Sequence, residues 1–195
     1  LVGDPQQLNP VILLGELTNK KLRRRYHVSD EYDYRENSIY KTYLACDAVS
    51  DEVLLRNHYR CNKEIIGFNN KKYYNSKLKI QSKSKEPEPL VYMDVKSDNT
   101  QIKNTSPAEV DEVVEYALLN KDKSIAVITP FVNQKQLIEN AIKQNKLSNL
   151  VCGTVHAFQG DEKDVVLFST AISERTSSGT YNWLKNNKEL INVAT

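Results

Sequence analysis

Four polar clusters in the sequence carry groups suited to binding or positioning a ligand. The first is a loop holding His156, Gln159, Gly160, Asp161, Glu162, Lys163 and Asp164, set between the apolar runs 151–155 and 165–168. Runs rich in Val, Leu and Phe with little alternation mark strands covered on both faces, as in parallel α/β sheets. Ligands of such sheets gather at the strands' carboxyl ends. The loop serves equally well as a solvated connection in which Gly160 takes a positive φ. His156 has no second His or Cys at ligand spacing, so no metal centre is expected there. The second cluster is Asn57-His58-Tyr59-Arg60, delivered by a brief strand at 53–55. Taken alone, Arg60 also suits a surface ion pair with an acid such as Glu64. The third lies between Thr129 and Gln134, where a buried strand beginning at Ser124 breaks at Pro130 into a helix. The fourth is Asp4-Pro5-Gln6-Gln7, a helix start in which Asp4 caps, Pro5 takes the first position and Gln7 reaches back as in a capping box.

Composition bounds the elements that must hold these groups in place. With 195 residues, 39% hydrophobic and 27% charged, the chain is long enough for one domain with a real core. A net charge of +2 neither demands nor excludes a polyanionic partner. Cys46, Cys61 and Cys152 have neither metal-type spacing nor an even count, which fits a reducing cytoplasm. No apolar run is long enough to cross a bilayer, and the N-terminus lacks the basic start and apolar segment of a signal peptide. A missing initiator Met, and a final Thr195 directly after the apolar run 191–194, are expected of a piece from a longer protein.

Periodicity predicts a helix over 38–46 carrying Ile39, Tyr43 and Leu44 toward the core, and another over 62–70 with Ile65, Ile66 and Phe68 as its apolar members. Residues 76–89 read as a mobile connection, 90–95 as a strand, and 177–183 as an exposed loop and turn. Ser106-Pro107-Ala108-Glu109 is the cleanest helix start, followed by a stripe of Val110, Val113, Val114, Ala117 and Leu118. Leu137, Ile138, Ala141 and Ile142 face the sheet from the helix after Pro130. The basic run 20–25, beside Tyr26, Tyr32 and Tyr34, reads as a solvated face; its alternative is a nucleic-acid backbone contact with stacking.

The wording of four stretches, in order, is similar to one family. Thr154-Val-His-Ala-Phe-Gln-Gly-Asp-Glu-Lys-Asp-Val-Val resembles motif V of superfamily 1 helicases, in the branch that includes the nonsense-mediated-decay helicases. Gly3-Asp-Pro-Gln-Gln-Leu8 resembles motif III, Asn57-His-Tyr-Arg60 the family's Tyr-Arg motif, and Thr129-Pro-Phe-Val-Asn-Gln134 its Thr-Pro-Phe/Tyr-x-x-Gln motif. A fifth, partial stretch, Ile191-Asn-Val-Ala-Thr195, resembles the opening of motif VI.

The resemblance implies roles for single residues. Gln7 would sense the γ-phosphate, Tyr59 would pack near adenine, and Arg60 would reach the γ-phosphate, a task suited to a permanently charged planar fork. Gln159, Gly160 and Glu162 fall toward the nucleotide, Glu162 at the ribose, because a carboxylate accepts hydroxyl hydrogens but is repelled by phosphate unless a metal bridges them. Thr129, Gln134, Thr154 and His156 fall on the nucleic-acid side, Thr129 donating its hydroxyl to phosphate.

The implied fold is α/β, a RecA-like, P-loop NTPase-type three-layer sandwich with a mainly parallel sheet. Residues 1–10 would end the first RecA-like domain, 11–50 would be a linker or insertion with a short helix, and 51–195 the second RecA-like domain, truncated within motif VI. The implied parent is an ATP-dependent helicase that translocates on single-stranded nucleic acid, expected to be DNA rather than RNA and 5′ to 3′. The sequence holds no Gly-x-x-x-x-Gly-Lys-Ser/Thr, so ATP with Mg2+ would be bound mainly by an upstream domain and the segment alone would be inactive. The alternative is a non-catalytic nucleic-acid-binding module derived from such a helicase.

Overall fold

The computed structural model describes residues 3–8, 12–47, 49, 51, 53–83, 86–96, 102–158 and 161–194. It divides into two compact units, Leu1–Asn57 and His58–Thr195.

In the first unit, helix α1 (Glu16–Arg25) is followed by a 3-10 turn at Asp30–Tyr32 and helix α2 (Ile39–Cys46). Polar contacts hold it together. Arg23 of the basic run is bound by both Asp30 and Asp33, and Asp33 also accepts from Asn19 Nδ2 (2.9 Å) and the Arg35 amide (3.0 Å). Lys20 pairs with Glu16 one turn earlier. Residues 3–8 belong to this unit: a Cβ on Gly3 would lie 2.7 Å from the Tyr40 ring, so only glycine lets this segment approach α2 so closely. Helix α2 forms as expected, with Ser38 as its cap, yet Ile39, Tyr43 and Leu44 are all exposed rather than turned into a core. Among the described residues of this unit only Asn19 is buried, so apolar burial contributes little here.

The chain passes into the second unit within β1 (Asn57–His58), which pairs with β2 (Lys79–Ile80); helix α3 (Lys63–Tyr73) lies between the two in sequence. The Asn62 side chain caps α3 by accepting from the Glu64 amide. Ile66 is buried as expected, whereas Phe68 is exposed and Tyr73, not expected in the core, is buried. The expected strands at 53–55 and 90–95 do not form. Both stretches are apolar in composition, but neither meets a partner strand and their side chains are mostly exposed. Strand propensity without a neighbour to pair with gives an extended segment and no sheet.

Helix α4 (Pro107–Leu119) starts as the sequence predicts, with Ser106 accepting from the Glu109 amide and Pro107 in the first turn. Strand β3 (Ile125–Ile128), helix α5 (Val132–Asn145) and strand β4 (Leu150–Gly153) form a parallel crossover unit, and β5 (Val165–Phe168) adds to the other side of β3, giving the order β4-β3-β5 with both pairings parallel. The register places Ile125, Leu150 and Val165 in one row and Val127, Cys152 and Leu167 in the next, and both rows meet Val110, Val113, Ala117 and Ile138 of α4 and α5. This is the core. On the opposite face Ala126 and Ile128 are buried, but Val151, Val166 and Phe168 are 44%, 45% and 39% exposed.

Two boundaries differ from expectation. Strand β4 stops at Gly153, and Val155 begins a 3-10 turn, Val155–Phe158, instead of ending the strand. Residues 177–183, read as an exposed loop and turn, instead cap and enter helix α6 (Ser178–Asn186), because the Ser177 hydroxyl accepts from the Thr180 amide. Helix α7 (Lys188–Ala194) follows.

Candidate nucleotide and nucleic-acid site

Arg60 sits in a bend pinned at both ends. On one side the Gln81 amide donates to the His58 carbonyl (2.7 Å), and the Cys61 amide donates to His58 Nε2 (3.0 Å). On the other side Asn62 caps α3. Sequence reading assigned no role to His58, although an imidazole three residues ahead of an amide is well spaced to close a turn. An accepting Nε2 requires the neutral ring. Burial, with Arg60 nearby, holds His58 below its ordinary 6.5, in keeping with that.

The bend presents Arg60 to a residue 102 positions away: Arg60 Nε donates to Glu162 Oε1 at 2.6 Å. Two residues expected to serve the nucleotide are therefore neighbours. The acid that meets Arg60 is Glu162, and Glu64 stands in the first turn of α3. Among the described residues only Nε of Arg60 is engaged, and half of the side chain is exposed. Exposed ion pairs of this kind are worth about 0.2–1 kcal/mol, so a multiply charged phosphoryl group would compete successfully for the guanidinium. Tyr59, beside it, is 69% exposed.

The loop that carries Glu162 is anchored on both flanks. At its end Asp164 Oδ2 accepts from the Ser124 amide (2.8 Å) and hydroxyl (2.6 Å) at the entry to β3, contacts that hold the Asp164 carboxyl below its ordinary range. At its beginning the 3-10 turn folds onto Gly153, where a Cβ would lie 2.8 Å from the Phe158 ring and 3.0 Å from the Ala157 methyl. Thr154 is half-buried, its carbonyl accepting from the Ala157 amide, and His156 is exposed on the turn. Gln159 and Gly160 lie outside the described residues.

Thr129 and Gln134 stand differently from expectation: both are fully buried. Gln134 Oε1 accepts from the Ser106 amide (2.8 Å), while Nε2 donates to the Ser106 carbonyl (3.1 Å) and to Ser169 Oγ (2.9 Å). Ser169 Oγ in turn donates to Glu109 Oε2 (2.6 Å), and Glu109 accepts from the Ala171 amide. The amide of Gln134 is spent inside the fold because the main chain of Ser106, turning into α4, must be satisfied there. Thr129 Oγ1 accepts from the Phe131 amide at the turn into α5. Neither side chain faces solvent.

Gln7, in the first unit, donates from Nε2 to Asp4 Oδ2 (3.1 Å), and the Gln6 amide donates to Asp4 Oδ1 (2.9 Å). Asp4 thus closes a turn, with Gln7 reaching its carboxylate, and no helix follows within the described residues. Among the described residues no group of three or more His, Cys, Asp or Glu could hold a metal ion, and no helix is long and apolar enough to cross a membrane.

A family model described as AAA domain (AAA_12) matches residues 35–195, which include β1 through α7. The chain belongs to this family. It is 28% identical over 213 residues to the human "Probable helicase with zinc finger domain", covering all of this chain and 10% of that protein. It is 25% identical to mouse "RNA helicase Mov10l1", covering all of this chain and 19% of the relative, and 27% identical to "Helicase sen1" of Schizosaccharomyces pombe over 87% of this chain and 11% of the relative. The segment thus spans between about a tenth and a fifth of these relatives. Family and relatives together place it among superfamily 1 helicases of the nonsense-mediated-decay-like branch, with a RecA-like α/β architecture.

Proposed function

We propose that this segment forms the second motor domain of an ATP-dependent helicase, supplying the Arg60 wall of a nucleotide site and a surface for single-stranded nucleic acid. The observation that carries the reading is the meeting of Arg60 and Glu162 across 102 positions, on a bend and a loop that are each anchored at their flanks. Arg60 would hold the γ-phosphoryl oxygens and stabilise the charge that develops there, and Glu162 would exchange its Arg60 contact for ribose hydroxyls. Gln7 would sense the γ-phosphate, Tyr59 would cover the base, and Gln159 and Gly160 would lie toward the nucleotide. ATP with Mg2+ would be gripped mainly by an upstream domain, since no phosphate-binding loop occurs in the sequence, and the segment alone would not turn ATP over. Thr154 and His156 would contact the nucleic-acid strand directly, whereas Thr129 and Gln134 would shape the strand ends beneath it.

Single-stranded RNA is favoured over the DNA expected from sequence, because relatives carry the names "RNA helicase Mov10l1" and "3'-5' exoribonuclease HELZ2". Travel is proposed to run 5′ to 3′. Three free thiols support a cytoplasmic location. In the full-length protein, Arg60→Ala is expected to lower nucleic-acid-stimulated kcat on the order of a hundredfold while changing ATP affinity less, since the charge matters most in the transition state. Unchanged turnover would reduce Arg60–Glu162 to a surface ion pair, whereas a full-length protein with no turnover at all would make a non-catalytic binding module the better reading.

A further inference from the structure

The chain's one tryptophan, Trp183, lies on α6, a helix with no buried residue, and the ring is 45% exposed. It is not loose on the surface. Its ring centroid is 6.3 Å from that of Phe131, at a tilt of 38°, and Phe131 is itself 93% out of solvent contact, being 7% exposed. Phe131 follows Thr129 at the carboxyl end of β3, and the Thr129 amide donates to the Gly153 carbonyl at the end of β4, from which the turn bearing Thr154 and His156 departs. The aromatic pair therefore stands at the same end of the sheet as those two residues. Arg175, Lys185 and Lys188, on either side of Trp183 in sequence, are all exposed, with Glu174 and Glu189 directly beside Arg175 and Lys188.

We infer that Trp183 is a stacking platform for a base of single-stranded nucleic acid, held in place from behind by Phe131. An indole fixed on one side and bare on the other offers a preoriented face, so little side-chain freedom is lost when a base lands on it. Every base has a π-face, so the contact gives affinity without reading sequence, as motion along a strand requires. The flanking Lys and Arg supply phosphate attraction, and the indole supplies a salt-independent part. This rests on the nucleic-acid role proposed above and adds to it a base-contacting residue that the helicase motifs do not include.

A single tryptophan makes the test direct. The 195-residue chain would be titrated with a fluorescein-labelled U10 RNA, with anisotropy reporting binding and, in parallel with unlabelled RNA, tryptophan emission reporting stacking; an abasic oligomer of the same length is the control. Strand concentrations should reach roughly a millimolar, beyond the weak end of non-specific binding. U10 should quench Trp183 along the same curve as the anisotropy, and the abasic strand should not. Trp183→Leu should weaken U10 binding about five- to a hundredfold at fixed salt, whereas Trp183→Phe keeps a stacking face and should stay within about threefold of wild type. Circular dichroism on both variants checks that α6 is intact. Binding of U10 without quenching, or with unchanged affinity in Trp183→Leu, overturns the platform and leaves the nucleic-acid reading standing. No binding of U10 by the chain over the whole range overturns both.

Discussion

Gln134→Ala isolates the difference between a surface contact and an internal latch. The side chain is fully buried and makes hydrogen bonds of 2.8, 3.1 and 2.9 Å to the Ser106 amide, the Ser106 carbonyl and Ser169 Oγ. Truncation leaves the Ser106 amide without its partner, while the Ser106 carbonyl keeps the Val110 amide and Ser169 keeps Glu109. Each buried group so stranded costs about 1–3 kcal/mol. Water entering the vacated space would recover part of this and the lost packing of the side chain would add to it, so the net loss should be about 1–3 kcal/mol, a sizeable share of the ~5–15 kcal/mol that stabilises an ordinary domain. Urea unfolding of the 195-residue chain, followed by tryptophan emission and circular dichroism, would show a lower midpoint at an unchanged slope. Gln136→Ala, which removes an exposed contact to Asn140 on the same helix, is the control and should stay within about 0.5 kcal/mol of wild type. A Gln134→Ala protein as stable as that control, but weaker in binding RNA, would return Gln134 to the surface role suggested by its motif and refute the burial argument.

Lowering the pH should destabilise the second unit through His58. The ring is held below 6.5 when folded and regains about 6.5 when unfolded, so its contribution is fully present above 6.5 and lost as pH falls through that value toward the folded one. His58→Gln, which keeps an accepting oxygen, should flatten this part of a plot of urea midpoint against pH; an undiminished fall would place the effect elsewhere. Asp161 and Asp164, held below 3.8, act only at lower pH and do not overlap this window. Gly153→Ala should cost about 1–3 kcal/mol by pushing the Val155–Phe158 turn off the end of β4, a loss that thermal unfolding would register; an unchanged Tm would mean that the turn yields freely.

The parts legible from sequence were those whose signals are local. Ser106-Pro107-Ala108-Glu109 fixed the start of α4 because cap, proline and glutamate all act within one turn. The all-buried Ile125–Ile128 strand announced itself by an unbroken apolar run. Positions that depend on a distant partner were misread. Residues 53–55 and 90–95 have strand composition, but pairing is decided by a neighbour that a single stretch does not contain. Ile39, Tyr43 and Leu44 have helical spacing, yet spacing says nothing of whether a core lies opposite. Gly179 and the serines around it suggested a loop, whereas one hydroxyl on the Thr180 amide was enough to start α6. Within the site, motif wording pointed to Arg60 and Glu162 separately, and only the structure shows them in contact. Gln134 is the opposite case, where a motif residue proves to be internal because Ser106, 28 positions earlier, needs its amide.

The half-bare side of the sheet bears on how such a segment behaves in a test tube. Val151, Val166 and Phe168 form a greasy strip around Ala126 and Ile128, and it lies on β4 and β5, the two outermost strands of the described sheet. Each of those strands also carries main-chain donors and acceptors along its outer border, a template onto which another molecule can zip. Stickiness and a ready-made seam coincide, which favours clumping during heating or storage. Lysine at 151 and 166 would make the strip wettable while leaving the α4 and α5 side of the sheet as it is.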